Sequence, residues 1–267
     1  MFNKVKIAWF GKHLGEEPPL IPAGGIFFTG CNLRCVFCQN YQISQQNLGQ
    51  FYTIEELAEI MLKLQNIGAN NIDLVSPTIW YKQIKEAICL ARKNGLAIPI
   101  IWNSNAYENL EVLKEVEGLI DIYLPDFKYS NNELGLKYSK INNYSLVAEK
   151  AIKEMWRQVG NLRIRNGKAY NGLIIRHLVL PNNIENSFGV LDKIAKINLD
   201  IHVSLMNQYS PLYKANEFPE INRELNREEF FKVYDYYKKL GLGNGWIQEE
   251  KSQNNLVPDF KKDNPFN

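Results

Sequence analysis

Short continuous apolar runs alternate along this chain with longer stretches whose apolar residues recur every three or four positions, the pattern of buried parallel strands wrapped by helices. Strands are predicted over 25–29, 72–75, 98–102, 120–124, 173–180 and 201–205. After the first of them, Thr53-Ile54-Glu55-Glu56 forms a capping box that opens a helix with Leu57, Ile60, Met61 and Leu64 on one face, stopped at Gly68. Further helices are predicted over 79–93, closed by Asn94-Gly95, over 109–116, 146–159 and 184–197, and over 227–240 with Gly241 as the stop. Asn166-Gly167 within 161–171 is the turn of a hairpin inserted before the fifth strand. Residues 248–267 are polar with Pro258 and Pro265 and read as a flexible tail or a strap across the sheet, leaving 1–247 as one domain. Six strand-helix units fit either an open barrel or a doubly wound sheet, and spacing alone does not choose between them. In either, functional residues gather at the carboxyl ends of the strands.

Composition narrows the partners. With 267 residues and 45% hydrophobic side chains the chain buries a core of ordinary size. The net charge of +2 comes from 31 basic and 29 acidic residues interspersed along the chain, so no basic stripe argues for nucleic acid. No apolar run approaches the roughly 18 residues of a membrane span. Four cysteines with no evident disulfide partners, and an opening Met1-Phe2-Asn3-Lys4 without an apolar signal, point to a reducing cytoplasm. Tyr234, Tyr236 and Tyr237 belong to the packing of the last helix.

The chemistry concentrates in Cys31, Cys35 and Cys38, spaced Cys-x3-Cys-x2-Cys in a loop after the first strand. Three thiolates can hold three corners of a 4Fe-4S cube and leave the fourth iron to a non-protein ligand. A disulfide needs an oxidising compartment, and a structural zinc needs a fourth ligand from Cys89, His13, His177 or His202. Cys89 reads as an apolar helix residue, His177 and His202 as core or interface histidines, and His13 as a cover for the barrel base. With three cysteines committed, a second cysteine-ligated cluster cannot be built.

The triplet, with Phe37 just before its last cysteine, resembles the signature of the radical SAM superfamily. Gly15-Glu16-Glu17-Pro18-Pro19, the run from Tyr123 to Tyr129, the run from Arg176 to Pro181 and the run from Val203 to Tyr209 extend the resemblance to the branch of pyruvate formate-lyase activating enzyme homologues. Many members of that branch carry a further cysteine-containing segment ahead of this region, and the resemblance places the start of this chain inside it. The resemblance implies a partial (β/α)6 TIM-like barrel of the radical SAM type, a 4Fe-4S cluster and S-adenosyl-L-methionine (SAM). It also implies reductive cleavage of SAM to a 5′-deoxyadenosyl radical that abstracts hydrogen. A glycyl-radical protein as substrate and flavodoxin or ferredoxin as electron donor follow from the same resemblance. Modification of a peptide or small metabolite, and a noncatalytic Fe-S or metal-binding role, stand beside that reading.

Carried over residue by residue, the resemblance makes Cys31, Cys35 and Cys38 the cluster ligands and places Phe37 near the adenine. Asn40 is a candidate for the cluster or SAM, and Asn32 with the loop amides for hydrogen bonds to the cluster sulfurs. In Asp126-x-Lys128 the lysine is expected to hold the SAM carboxylate, with Arg176 seeking an anion in either that carboxylate or Asp126. Asn103 and Ser104 are expected at the ribose hydroxyls. Where most members have Gly-Gly-Glu after the second strand, this chain has Ser76-Pro77-Thr78, so Ser76 and Thr78 become the candidates there. Asn207-Gln208-Tyr209 stands in place of a Tyr-His pair.

Overall fold

The computed structural model describes residues 3–247 and 257–266. The elements, in chain order, are β1 Lys4–His13, β2 Ala23–Phe28, α1 Tyr41–Ser44, β3 Gln50–Thr53, α2 Ile54–Asn66, β4 Ile72–Val75, α3 Tyr81–Lys93, β5 Ile100–Ser104, α4 Leu110–Glu115, β6 Ile122–Pro125, α5 Asn132–Ser139, α6 Tyr144–Val159, β7 Arg163–Arg165, β8 Lys168–Leu178, α7 Ile184–Ile197, β9 His202–Met206, α8 Arg227–Lys239 and β10 Gly245–Ile247. They build one sheet in the order β10-β9-β8-β6-β5-β4-β2-β1-β3, with β7 hairpinned onto β8. Strands β2, β4, β5, β6, β8 and β9 run parallel and correspond to the six predicted strands. The sheet is unclosed, ending at β3 and β10.

Strand residues divide by their two-residue period between two faces. Ile72, Leu74, Ile100, Trp102, Tyr123, Ile175, Val203 and Leu205 share one apolar cluster with Leu57, Met61, Ile84, Ile88, Ile152, Leu191 and Val233 of the helices. The opposite face packs Ile101, Ile122, Leu124 and Ile174 around Leu20, which the segment after β1 carries into the barrel. Helices therefore lie on one side of the sheet, which makes it a partial barrel and excludes the doubly wound alternative. The inner face turns polar toward the carboxyl ends of the strands, where Asp73, Asn103, Arg176 and Ser204 are buried or nearly so.

The capping box at Thr53 and Glu56 forms as predicted and fixes the start of α2. Three sequence expectations shift. Helix α3 begins after a turn of 3-10 helix at Thr78–Trp80. Helix α5, N-capped by Asn131, was not among the predicted elements; its short, weakly amphipathic sequence gives little periodicity. Strands β1 and β3 add an antiparallel flank to β2. Of the segment 248–267, residues 248–256 lie outside the described residues, and 257–266 pack against the N-terminal hairpin, with Phe260 and Phe266 against Phe27. No helix among the described residues is long and apolar enough to cross a membrane.

Candidate functional site

The cysteine loop leaves β2 through Gly30, whose φ of +94° lies in the left-handed region that favours glycine. Backbone bonds from separate elements pin the loop: Gly30 N–H to Ile43 O (3.0 Å), Arg34 N–H to Ser139 O (3.0 Å), Val36 N–H to Tyr138 O (2.8 Å), and Lys214 N–H to Val36 O (2.8 Å). The unforeseen helix α5 is thus the loop's main support. Phe37 packs edge-on against Tyr209 and Tyr138.

All three thiols line one open cavity. Among the described residues no three His, Cys, Asp or Glu side chains converge to grip a single ion. Three thiols from one short loop offer soft ligands for three corners of a cube and leave its fourth corner to another ligand. Burial pushes the Cys35 thiol up to about 12 and raises that of Cys38, so the charge of a bound metal would be what makes them thiolates near neutrality. Asn32 does not donate to sulfur as expected. Its amide donates to Tyr107 O (2.7 Å), while Asn105 Nδ2 reaches Cys31 Sγ (3.3 Å) and the Leu33 amide donates to the same sulfur (3.4 Å).

Phe37, Asn40, Ser76, Asn103, Ser104, Asp126, Lys128 and Arg176 line the same cavity. Lys128 Nζ sits 2.7 Å from Asp126 Oδ2; burial opposes its charge, but the carboxylate more than offsets this and holds the ammonium above its ordinary value. Asn103 donates to Asp73 (3.3 Å), and Ser104 accepts from the Ala106 amide (3.3 Å). Asn40 occupies the N-cap of α1 without a side-chain cap bond. Thr78 is not brought to the cavity: its hydroxyl donates to Glu108 (2.8 Å), which also accepts from Trp102 Nε1 (3.0 Å) and whose carboxyl burial pushes above its ordinary value.

Arg176 finds its anions elsewhere than expected. Glu17 takes its Nε and Nη2 in a bidentate pair, both at 2.8 Å, and Glu16 closes on Nη2. Burial works against the Glu17 charge, yet the guanidinium wins and keeps the carboxyl below its ordinary value. Beside Glu16, buried Asp73 is pushed well above the usual carboxylate range, first by burial and then by the Glu16 charge. His13, expected only to cover the base, lines the cavity 3.6 Å from Glu16, with its ring on Phe266 (4.3 Å between centroids). Gln42 grips the C-terminal segment at both ends of its amide, donating to Asp259 Oδ1 (3.0 Å) and accepting from Phe260 N–H (2.7 Å), so Pro258 and Phe266 complete one wall. Sequence reasoning missed these roles, although two adjacent glutamates before Pro18-Pro19 were a visible signal. His177 and His202 lie outside the cavity lining. His177 is a satisfied core residue between Phe127 O (2.7 Å) and Ser187 Oγ (2.8 Å).

A parallel, unclosed barrel with a cysteine triplet at the carboxyl end of its first parallel strand defines a class, and comparison agrees. The family model of the radical SAM superfamily matches residues 26–186, and the chain belongs to that superfamily, whose cofactors are a 4Fe-4S cluster and SAM. An uncharacterised protein of Methanocaldococcus jannaschii is 37% identical over 255 residues, covering 90% of this chain and 70% of that protein. A second from the same organism, 27% identical, is spanned over 65% of its length. The pyruvate formate-lyase-activating enzyme of Clostridium pasteurianum is 22% identical over 250 residues, covering 85% of this chain and 97% of that enzyme. Among solved structures, Streptococcus suis SuiB superposes with a TM-score of 0.58 at 14% identity, over 83% of this chain and 47% of SuiB, a likeness of fold; SuiB has also been solved with SAM and with its precursor peptide SuiA.

Proposed function

We propose that this chain is a glycyl-radical-activase-like radical SAM enzyme. In this reading Cys31, Cys35 and Cys38 hold the cluster, and Phe37, Asn40, Ser76, Asn103, Ser104, Asp126, Lys128 and Arg176 surround SAM. The observation that carries it is the opening of three thiols from one pinned loop onto a cavity shared with the Asp126–Lys128 pair and with Asn103 and Ser104. When bound, the cluster supplies the electron that splits SAM into methionine and a 5′-deoxyadenosyl radical. The chain's own work is positional. Lys128 offers a charged donor to a carboxylate, Asn103 and Ser104 offer amide and hydroxyl groups to a ribose, and Phe37 offers an aromatic face to a base. Phe266 and Pro258 exclude water from one side. The activase assignment is supported by the Clostridium pasteurianum enzyme, which matches along nearly its whole length. A glycyl-radical partner, a flavodoxin or ferredoxin donor and a cytoplasmic setting belong to the same reading.

Protein reconstituted without air is expected to bind about four irons and, with a strong reductant, to release 5′-deoxyadenosine and methionine. Iron uptake without cleavage overturns the enzyme in favour of a noncatalytic Fe-S protein. With an α-deuterated glycine peptide, deuterium should appear in 5′-deoxyadenosine; cleavage without that transfer points to another peptide or metabolite as substrate.

A further inference from the structure

Each of the three sulfurs meets a side-chain donor of its own, and the three donors come from different parts of the chain. Asn105 Nδ2, after β5, lies 3.3 Å from Cys31 Sγ; Ser139 Oγ, closing α5, lies 3.0 Å from Cys35 Sγ; Ser44 Oγ, closing α1, lies 3.3 Å from Cys38 Sγ. A second partner fixes the direction of each donor. Asn105 Oδ1 accepts from the Tyr107 amide (2.9 Å), which turns its NH2 toward Asn32 Oδ1 (2.6 Å) with one hydrogen and toward the sulfur with the other. The Ser139 oxygen stands 2.7 Å from the Tyr129 hydroxyl, buried with it, so Tyr129 can donate and leave the serine proton for Cys35. Ser44 Oγ accepts from Gln45 Nε2 (3.2 Å), leaving its proton for Cys38. A thiol that binds iron has lost its own proton, so at Cys35 and Cys38 only the hydroxyl can then donate.

We propose that Asn105, Ser139 and Ser44 are positioning residues that set the reduction potential of the cluster and help retain it, one donor per cysteine. The inference rests on the cluster reading above. Reduction adds negative charge to the sulfurs, and a donor aimed at a sulfur stabilises the reduced state more than the oxidised one. Removing any donor should therefore drive the potential more negative.

The test is a potentiometric titration, followed by EPR, of reconstituted wild type, Asn105→Ala, Ser44→Ala and Ser139→Ala, with iron counted in each. The expected result is a more negative midpoint in each variant, a further shift when both serines are replaced, and a midpoint near wild type for Ser44→Thr, which keeps the hydroxyl. Unchanged midpoints in variants carrying full iron overturn the inference. Should Ser44→Ala fold by circular dichroism yet lose iron, retention in Ser44→Thr supports the donor role and equal loss there overturns it. A wild type that holds no cluster defeats the preceding reading instead, and shows itself before any variant is made.

Discussion

At Ser76 a single backbone angle explains a departure in the sequence. Its φ is +61°, in the left-handed region that glycine enters freely, and its amide donates to Asn103 O (2.9 Å) at the cavity wall. The glycine that the resemblance leads one to expect here is thus a requirement of the chain path, which serine meets under strain. Ser76→Gly is expected to stabilise the protein by up to about 1 kcal/mol in urea unfolding with SAM affinity kept; a loss of stability contradicts this account. Lys128 is the site's candidate for a carboxylate donor. Lys128→Met should weaken SAM binding by ~10–100-fold in equilibrium titration, as expected for a lost charge-assisted bond of ~1.5–3 kcal/mol, while iron content stays at the wild-type level. Arg176 is a different case. Its guanidinium is paired with Glu16 and Glu17, so besides lining the cavity it holds the segment after β1 inside the barrel.

Among the elements, β8 shows how one buried group ties strands to helices. His177 accepts the Ser187 hydroxyl from α7 at Nε2 and donates its Nδ1 proton to Phe127 O after β6, and burial lowers its pKa from 6.5 to about 4. The unfolded chain therefore takes up this proton more readily than the folded one. The contribution is whole above pH 6.5 and drains away as pH falls toward 4, by up to about 3 kcal/mol. Denaturant melts at pH 7 and pH 4.5 should show this loss, and His177→Gln should flatten it; an unchanged slope in that variant assigns the acid sensitivity elsewhere. The six parallel strands and the helices over them were legible because continuous apolar runs and helical periodicity leave little choice. The side of the sheet that the helices occupy was not, since it depends on which alternate residues meet Leu20. Helix α5 escaped for want of a strong pattern, although its last carbonyls hold the cysteine loop.

Taken as a whole, the molecule gathers its cavity from segments more than two hundred residues apart. The cysteine spacing was readable because Cys31, Cys35 and Cys38 lie within eight residues. Glu17, Gln42, Ser139 and Phe266 were not, because their roles exist only once β1, α1, α5 and the C-terminal segment converge. Gln42→Ala removes both bonds that clasp residues 259 and 260. The variant should lose the Trp9–Phe266 contact, visible in tryptophan fluorescence, and its reconstituted cluster should bleach several-fold faster in air; identical bleaching means that this wall does not shield the cavity. The central claim is that three sulfurs hold an iron cube whose fourth iron meets SAM. The most direct measurement is the EPR spectrum of anaerobically reconstituted, reduced protein before and after SAM is added. A 4Fe-4S signal that changes on addition is predicted; an absent iron signal, or one that ignores SAM, contradicts the account.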